Sequence, residues 1–336
     1  MSSALPLNSS SLRKLRNDLL RWYDQNQREL PWRQDGDPYR VWVSEIMLQQ
    51  TRVAAVLDHY ARFLRRFPTV QALAAARAPS VLAAWSGLGY YHRARRMHQA
   101  AKSIVRERQG EFPRTAEEWS KLPGIGRYSA AAIASIAFRE AVAAVDGNVE
   151  RVLGRMFGRD AESKSVWQSA EELLDRTRPG DFNQGMMELG ATICTPRAPQ
   201  CALCPLNTWC KSRGADDERR PAPRKRKQLN YALARKGKAV LLVQRAETAS
   251  LMAGMWELPT IPESPQNGSP PVLRLRHSIT NTDYDVTVVV PPPENVRILE
   301  DAARWFTPRQ WERLPLTGLT RKVLRQLQVE SGGGSK

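Results

Sequence analysis

The chain is short of acidic residues, short of cysteine and histidine, and without any long apolar run. No eighteen consecutive apolar residues occur, which excludes an ordinary membrane-spanning helix. The segment from Met1 to Ser11 lacks the apolar core of a secretory signal and is read as a disordered tail. Arg13, Lys14 and Arg16 precede the first acid, Asp18, so a weak organelle presequence stays open. Asp and Glu number 34 against 51 Lys and Arg, a net charge of +17. That imbalance points to a polyanionic partner, nucleic acid ahead of an anionic membrane surface. With no spanning or secretory segment, the expected location is the cytoplasm, beside the nucleoid in a bacterium, with an organelle or the nucleus left open. No internal repeat is present.

Cysteine is confined to one short stretch, Cys194, Cys201, Cys204 and Cys210. Two disulfides would suit a small secreted domain, which this chain of 336 residues does not resemble. Four clustered thiols point instead to a metal group, either zinc or an iron–sulfur cluster. Only Cys201 and Cys204 form a C-x-x-C pair, whereas zinc sites usually show two, so the spacing leans toward a cubane cluster.

The period of the apolar residues changes once along the chain. From Leu12 to about Ile193 it is helical. Leu12, Leu15, Leu19 and Trp22 share one face, and Val53, Val56, Leu57, Tyr60, Leu64 and Phe67 share another. Pro68, Pro79, Pro113 and Pro123 punctuate this half near expected helix starts. Residues 211–230 carry Arg219, Arg220, Arg224, Lys225, Arg226 and Lys227 among prolines, with no apolar period, and read as a solvated linker ahead of an arm that contacts nucleic acid. Beyond it, Tyr231–Ala234, Ala239–Val243, Leu273–His277 and Val286–Val290 are expected strands, followed by a helix carrying Leu319, Val323, Leu324 and Leu327. The expected organisation is a tail over 1–11, a helical domain over 12–210, a linker over 211–230, a smaller α+β domain over 231–330, and a glycine-rich tail over 331–336.

Three stretches can carry chemistry. Leu122-Pro123-Gly124-Ile125-Gly126 is either an ordinary interhelical turn or a hairpin whose backbone N–H groups face phosphate at the next helix start. Asp146 and Asn148, in Val145-Asp146-Gly147-Asn148-Val149, serve either to cap the next helix or to set an anion where positive charge develops. Glu45 lies between Val41-Trp42-Val43 and Ile46-Met47-Leu48. Apolar company pushes a carboxyl pKa upward, as a general acid near neutral pH requires. Gln49 and Gln50, which follow, can reach base edges or fill a gap in a duplex.

Taken together, SEIMLQQT, WSGLGYYHRARR, LPGIGRYSA, VDGNVERVLGR and ELGATICTP, with the four cysteines after them, closely resemble the adenine DNA glycosylase (MutY) family of the endonuclease III superfamily. The resemblance is dense from Trp32 to Cys210 and looser beyond, where Leu251 to Pro259 is similar to the start of that family's Nudix-like domain. It implies a mostly α fold, a helix–hairpin–helix glycosylase domain with one 4Fe-4S cluster on Cys194, Cys201, Cys204 and Cys210, and a smaller α+β Nudix-like domain. It also implies removal of adenine opposite 8-oxoguanine or guanine in duplex DNA by a monomer.

Carried over residue by residue, the resemblance makes Glu45 the acid that protonates the base. Asp146 becomes the carboxylate that stabilises the sugar cation, with Tyr128 and Asn148 beside them. Bifunctional relatives place a lysine where Tyr128 stands, so the resemblance implies a monofunctional enzyme. It assigns Tyr90 as a wedge in the duplex, with Gln50 as its partner. Leu122, Gly124 and Gly126 bind the backbone. Arg28, Leu30, Trp32, Arg33 and Glu188 would form the adenine pocket, though the first four could equally be a structural loop packed on the first helix. Thr280 would contact the lesion, or Ser278 if the alignment slips by two, because Ile279-Thr280-Asn281 stands where many relatives have Phe-Ser-His. The glutamate-rich helix of a true Nudix hydrolase is missing between Tyr231 and Gln328, which argues against nucleotide hydrolysis there. Two other functions compete: a thymine–guanine mismatch glycosylase, and a DNA-binding protein without catalysis.

Overall fold

The computed structural model describes residues 7–158, 163–213, 224–246, 248–249, 251–261, 270–279, 281–292 and 303–327. Thr280, the tail 331–336 and residues 214–223 of the linker lie outside the described residues. The chain divides into two compact units, one of residues 1–60, 69–74 and 99–219, the other of residues 61–68, 75–98 and 220–336. The second unit thus takes in two helical pieces that the sequence reading assigns to the helical half.

Eleven helices precede the sheets among the described residues: α1 (Ser9–Asn26), α2 (Pro38–Leu48), α3 (Val53–Arg66), α4 (Val70–Ala75), α5 (Ala78–Trp85), α6 (His92–Arg108), α7 (Ala116–Ser120), α8 (Arg127–Phe138), α9 (Gly147–Phe157), α10 (Ser163–Leu173) and α11 (Pro179–Thr192). The tail assigned to 1–11 is corrected at its end. Asn8 accepts from the Ser11 N–H and caps α1, so Ser9 to Ser11 form its first turn. α1 then buries Leu15, Leu19, Leu20 and Tyr23. The three leucines pack with Val149, Val152 and Met156 of α9, Ala170 and Leu173 of α10, and Phe182, Met186 and Leu189 of α11 in one core.

Two helices of the first unit are buried nearly all round. In α2, capped by Asp37 and started by Pro38, every residue from Tyr39 to Met47 except Arg40 is buried. In α8, Ser129 to Ser135 are all buried, and small side chains let neighbours approach. A Cβ on Gly180 of α11 would come within 2.7 Å of the Ser135 carbonyl oxygen, so glycine is what permits that contact. Between α7 and α8 the chain turns at Gly124, whose φ of 81° lies in the left-handed region, and Gly126 occupies the N-cap of α8. The first N–H groups of a helix have no intrahelical carbonyl to reach, so this turn presents donors.

The second unit holds two four-stranded sheets. One runs β5-β1-β7-β6, built from β1 (Lys225–Ala232), β5 (Thr260–Ile261), β6 (Pro271–Ile279) and β7 (Thr282–Val289). β1 and β7 are parallel, from Lys225 opposite Thr282 to Ala232 opposite Val289. The other contains β2 (Arg235–Lys236), β3 (Ala239–Gln244), β4 (Trp256–Glu257) and β8 (Ala303–Phe306), all pairing through β3. Tyr231, Val240, Leu242, Trp256, Val286, Val288, Leu316, Leu319 and Val323 share its core.

The linker boundary is a second correction, because β1 opens at Lys225, inside the stretch read as unstructured. Its first four residues are exposed, so the long basic side chains remain in water while the backbone pairs with β7. Polar composition hid a strand whose hydrogen bonds need no apolar side chain. β2, β4, β5 and β8 escaped notice for another reason: two to four residues are too few to show a period.

Candidate active site

α2 delivers Glu45 into a cleft of about 900 Å³, and the glutamate is 6% exposed. Burial among apolar neighbours disfavours its charged form and raises its pKa to about 7, against a hydrogen bond from Tyr128 and the charge of Arg33, which lower it. The negative charge of Asp146 adds to the rise. Tyr128, in the first turn of α8, donates its hydroxyl to Glu45 Oε2 at 2.9 Å and lies 3.1 Å from Met187 Sδ. Burial first, then the charges of Glu45 and Asp146, hold its phenol well above the ordinary range, so it stays a donor.

Asp146 caps α9 with one oxygen, which accepts from the N–H groups of Asn148 (2.9 Å) and Val149 (2.8 Å). Its other oxygen accepts from Asn148 Nδ2 at 2.9 Å. Three donors thus orient one carboxylate, and the residue that caps the helix also lines the cleft. Asn148 is fixed in turn: its side-chain oxygen accepts from Arg151 Nη2 at 2.9 Å. A Cβ on Gly190 would fall 2.6 Å from Asn148 Cβ, so only glycine there leaves the asparagine its place.

The cleft also brings together Arg28, Leu30, Trp32, Arg33, Gln50 and Glu188. Glu188, 1% exposed, accepts from Arg28 Nε at 2.5 Å and Nη2 at 2.9 Å, and from Arg33 Nη2 at 2.8 Å. Burial alone would raise its pKa, but the two guanidiniums outweigh it and hold the carboxyl below its usual value. Glu45 and Glu188 line the same cleft, yet their neighbours push them in opposite directions. One is poised to carry a proton near neutral pH and the other is kept ionised.

Gln50 is exposed with φ of 55°, and its neighbour Gln49 donates to Ser129 Oγ at 3.0 Å. In the second unit Tyr90 is half-buried with φ of 46°, while Tyr91 is buried. The adjacent tyrosines thus divide into a packed one and a presented one. Ser278 donates to Asp283 Oδ1 at 2.6 Å across the β6–β7 pair.

The four cysteines line one pocket with Val152, Met156, Leu189, Leu206 and Arg155. Among the described residues, no three His, Cys, Asp or Glu side chains gather closely enough for a single metal ion. Arg155, buried, donates to Cys194 Sγ at 3.3 Å and to the carbonyls of Thr195 (2.7 Å) and Pro196 (3.0 Å). Arg151 reaches the same loop, donating from Nε to the Cys194 carbonyl at 2.9 Å while Nη2 holds Asn148 and the Gly190 carbonyl. Arg151, Arg155, Met187 and Gly190 were not singled out from the sequence. The spacing of Asn148, Arg151 and Arg155 at three and four residues along one helix was the available signal.

Comparison with known proteins accords with this geometry. The sequence model of the HhH-GPD superfamily, base excision DNA repair proteins, matches residues 43–178. The adenine DNA glycosylase of Homo sapiens is 35% identical, over 96% of this chain and 76% of that protein. That of Mycobacterium tuberculosis is 42% identical, over 67% of this chain and 76% of its own length. Among solved structures, a thermostable thymine-DNA glycosylase aligns with a TM-score of 0.57 at 28% identity, over 60% of this chain and 96% of the other. An endonuclease III–DNA complex aligns at 24% identity with a TM-score of 0.54, which speaks to fold alone. With relatives of that identity matched over most of their length, this chain belongs to the adenine DNA glycosylase family, base excision repair enzymes of the HhH-GPD superfamily.

Proposed function

We propose that this chain is a monofunctional glycosylase that releases adenine opposite 8-oxoguanine or guanine from duplex DNA. The observation that carries the reading is the pairing in one cleft of a buried carboxyl with a pKa near 7, Glu45, and a carboxylate fixed by three donors, Asp146. Reaching a base inside a duplex requires swinging it out. Glu45 then donates its proton to a ring nitrogen of the extruded adenine, the C1′–N bond breaks, and the bonding electrons leave with the base. Asp146 stabilises the positive sugar carbon, by charge or by a transient bond to it. Glu45, now ionised, takes a proton from the water that adds at C1′, and an abasic site results. Tyr128 cannot form an imine with the sugar, which supports release of the base without strand cleavage.

Arg28, Arg33 and Glu188 supply a charged wall to the adenine pocket, Leu30 and Trp32 an apolar one. Duplex DNA would be held by the α7–α8 turn through Leu122, Gly124 and Gly126, with Gln50 and Tyr90 entering the base stack. The second unit is read as a Nudix-like lesion reader without hydrolase activity. Glu257, the glutamate of its Leu251–Pro259 stretch, is occupied by Arg245 at 2.5 Å and by the Tyr231 hydroxyl at 3.2 Å.

Offered duplexes with A opposite 8-oxoguanine, T opposite G, or full pairing, the protein is expected to yield alkali-sensitive sites with the first alone. Activity on T opposite G would favour the thymine-glycosylase alternative, inertness toward all three the non-catalytic one, and breaks without alkali would remove the monofunctional assignment.

The thiol pocket fits a 4Fe-4S cluster on Cys194, Cys201, Cys204 and Cys210. Its donors are all sulfur, its other walls are largely apolar, and Arg155 offers an N–H to one sulfur. The cluster would supply a structural tie and an electron-transfer centre. Cys201→Ser is expected to lose iron and labile sulfide, unfold at lower temperature, and bind duplex DNA more weakly. An iron-free protein as stable and active as the parent would contradict this.

A further inference from the structure

The turn that carries Tyr90 is built from left-handed residues. Gly87 (φ 108°), Gly89 (φ 71°) and Tyr90 (φ 46°) all lie where L side chains are disfavoured, so something must hold Tyr90 there. Part of the hold is local. Trp85 Nε1 donates to the Gly89 carbonyl at 3.2 Å, and Arg93 Nη2 donates to the carbonyls of Leu88 (3.3 Å) and Gly89 (3.2 Å). The rest comes from the far end of the sequence, within the same unit. The Leu316 carbonyl accepts from Ser86 Oγ at 2.8 Å and from the Tyr91 hydroxyl at 3.3 Å, so one oxygen receives both ends of the turn. Arg321, on the helix Gly318–Gln326, donates from Nε to Ser86 Oγ at 3.1 Å. The serine hydroxyl, donor to one partner and acceptor from the other, is thereby locked.

Leu316 is itself tied to the second sheet. The Trp256 N–H donates to the Pro315 carbonyl and the Thr317 N–H to the Trp256 carbonyl, both at 2.9 Å. Strand β4, Leu316, Ser86 and the Tyr90 turn therefore form one continuous brace.

We propose that Arg321 is a positioning residue that, through Ser86 and Leu316, holds Tyr90 in its presented conformation. Recognition of the mispair then depends on the C-terminal residues even where they touch no base. This rests on the reading of Tyr90 as the duplex wedge. The brace is tested in the full-length protein with Arg321→Met, which keeps the stem but removes the donor. Arg321→Gln, whose amide nitrogen lies the same number of bonds from the backbone as Nε, serves as the conservative control.

Arg321→Met is expected to speed hydrogen–deuterium exchange over residues 86–91. It should also weaken binding to an A·8-oxoguanine duplex about tenfold, the scale of one lost stacking contact. The single-turnover rate of base release at saturating protein should hold, and Arg321→Gln should stay near the parent. Combined with Tyr90→Ala, Arg321→Met should add nothing to the loss from Tyr90→Ala alone. Unchanged exchange over 86–91, or losses that add in the double variant, would overturn the brace. Faster exchange in Arg321→Met alongside parental binding by Tyr90→Ala would support the brace and overturn the wedge reading instead.

Discussion

Glu45→Gln is expected to abolish adenine release, lowering the single-turnover rate by about 10²–10⁴-fold, the usual range for loss of a general acid. Duplex affinity should survive. Glutamine has nearly the volume of glutamate, and its carbonyl oxygen can still accept the Tyr128 hydroxyl, which donates to Glu45 at 2.9 Å. What it lacks is a proton to give. Burial makes that proton available, because the same apolar walls that raise the Glu45 pKa to about 7 would be lost on a solvated helix face. The variant should fold at least as well as the parent, since a group whose charged form is penalised has been replaced by a neutral one. Full activity in Glu45→Gln would remove this residue from its role, whatever else lines the cleft.

Asp146→Asn is the second large loss expected, and it separates the helix cap from the catalytic role proposed for the same side chain. As the N-cap of α9, asparagine is about as good as aspartate, and only the bond from Asn148 Nδ2 is lost, so stability should fall by no more than about 1 kcal/mol. As an anion facing a developing cation, an amide is no substitute. Removing one preorganised electrostatic partner costs about 10²–10³ in rate, and adenine release should fall by at least that much. The circular dichroism and unfolding midpoint should stay near those of the parent. A large fall in stability with turnover preserved would assign Asp146 to the helix cap alone.

Much of the site is legible in the sequence because its chemistry is carried by short contiguous motifs. Glu45 announces itself by six apolar neighbours, and Asp146 by its place before Asn148 at a helix start. The four cysteines are conspicuous as the only ones in the chain. Less visible is whatever depends on distance across the fold. That Tyr128 meets Glu45, 83 residues away, and that Arg28 and Arg33 reach Glu188 over 160 and 155 residues, follows from helix packing and not from periodicity. Helix α9 shows the intermediate case. Asn148, Arg151 and Arg155 lie on one face by simple arithmetic, yet only the fold shows that they connect the Asp146 cap to the cysteine loop.

The second unit is less legible in sequence. Its sheet begins in a basic stretch that looks like solvated linker, and its smallest strands are below the length at which alternation can be seen. Residues 75–98 look like any other helical segment in sequence, but through Ser86 and Tyr91 they bond to Leu316, more than two hundred residues on. Single hydroxyls of this kind leave no pattern along the chain.

The central claim is that a buried acid delivers a proton at neutral pH, and the pH dependence of single-turnover adenine release tests it most directly. Because the Glu45 pKa is raised, the proton-bearing form prevails below about pH 7 and is lost above it, so the rate should fall on the alkaline side with a midpoint near 7. The Tyr128 hydrogen bond lowers that pKa, so Tyr128→Phe should move the fall to higher pH. A rate that stays level from about pH 5 to 9, or a Tyr128→Phe profile displaced toward acid, would contradict the account.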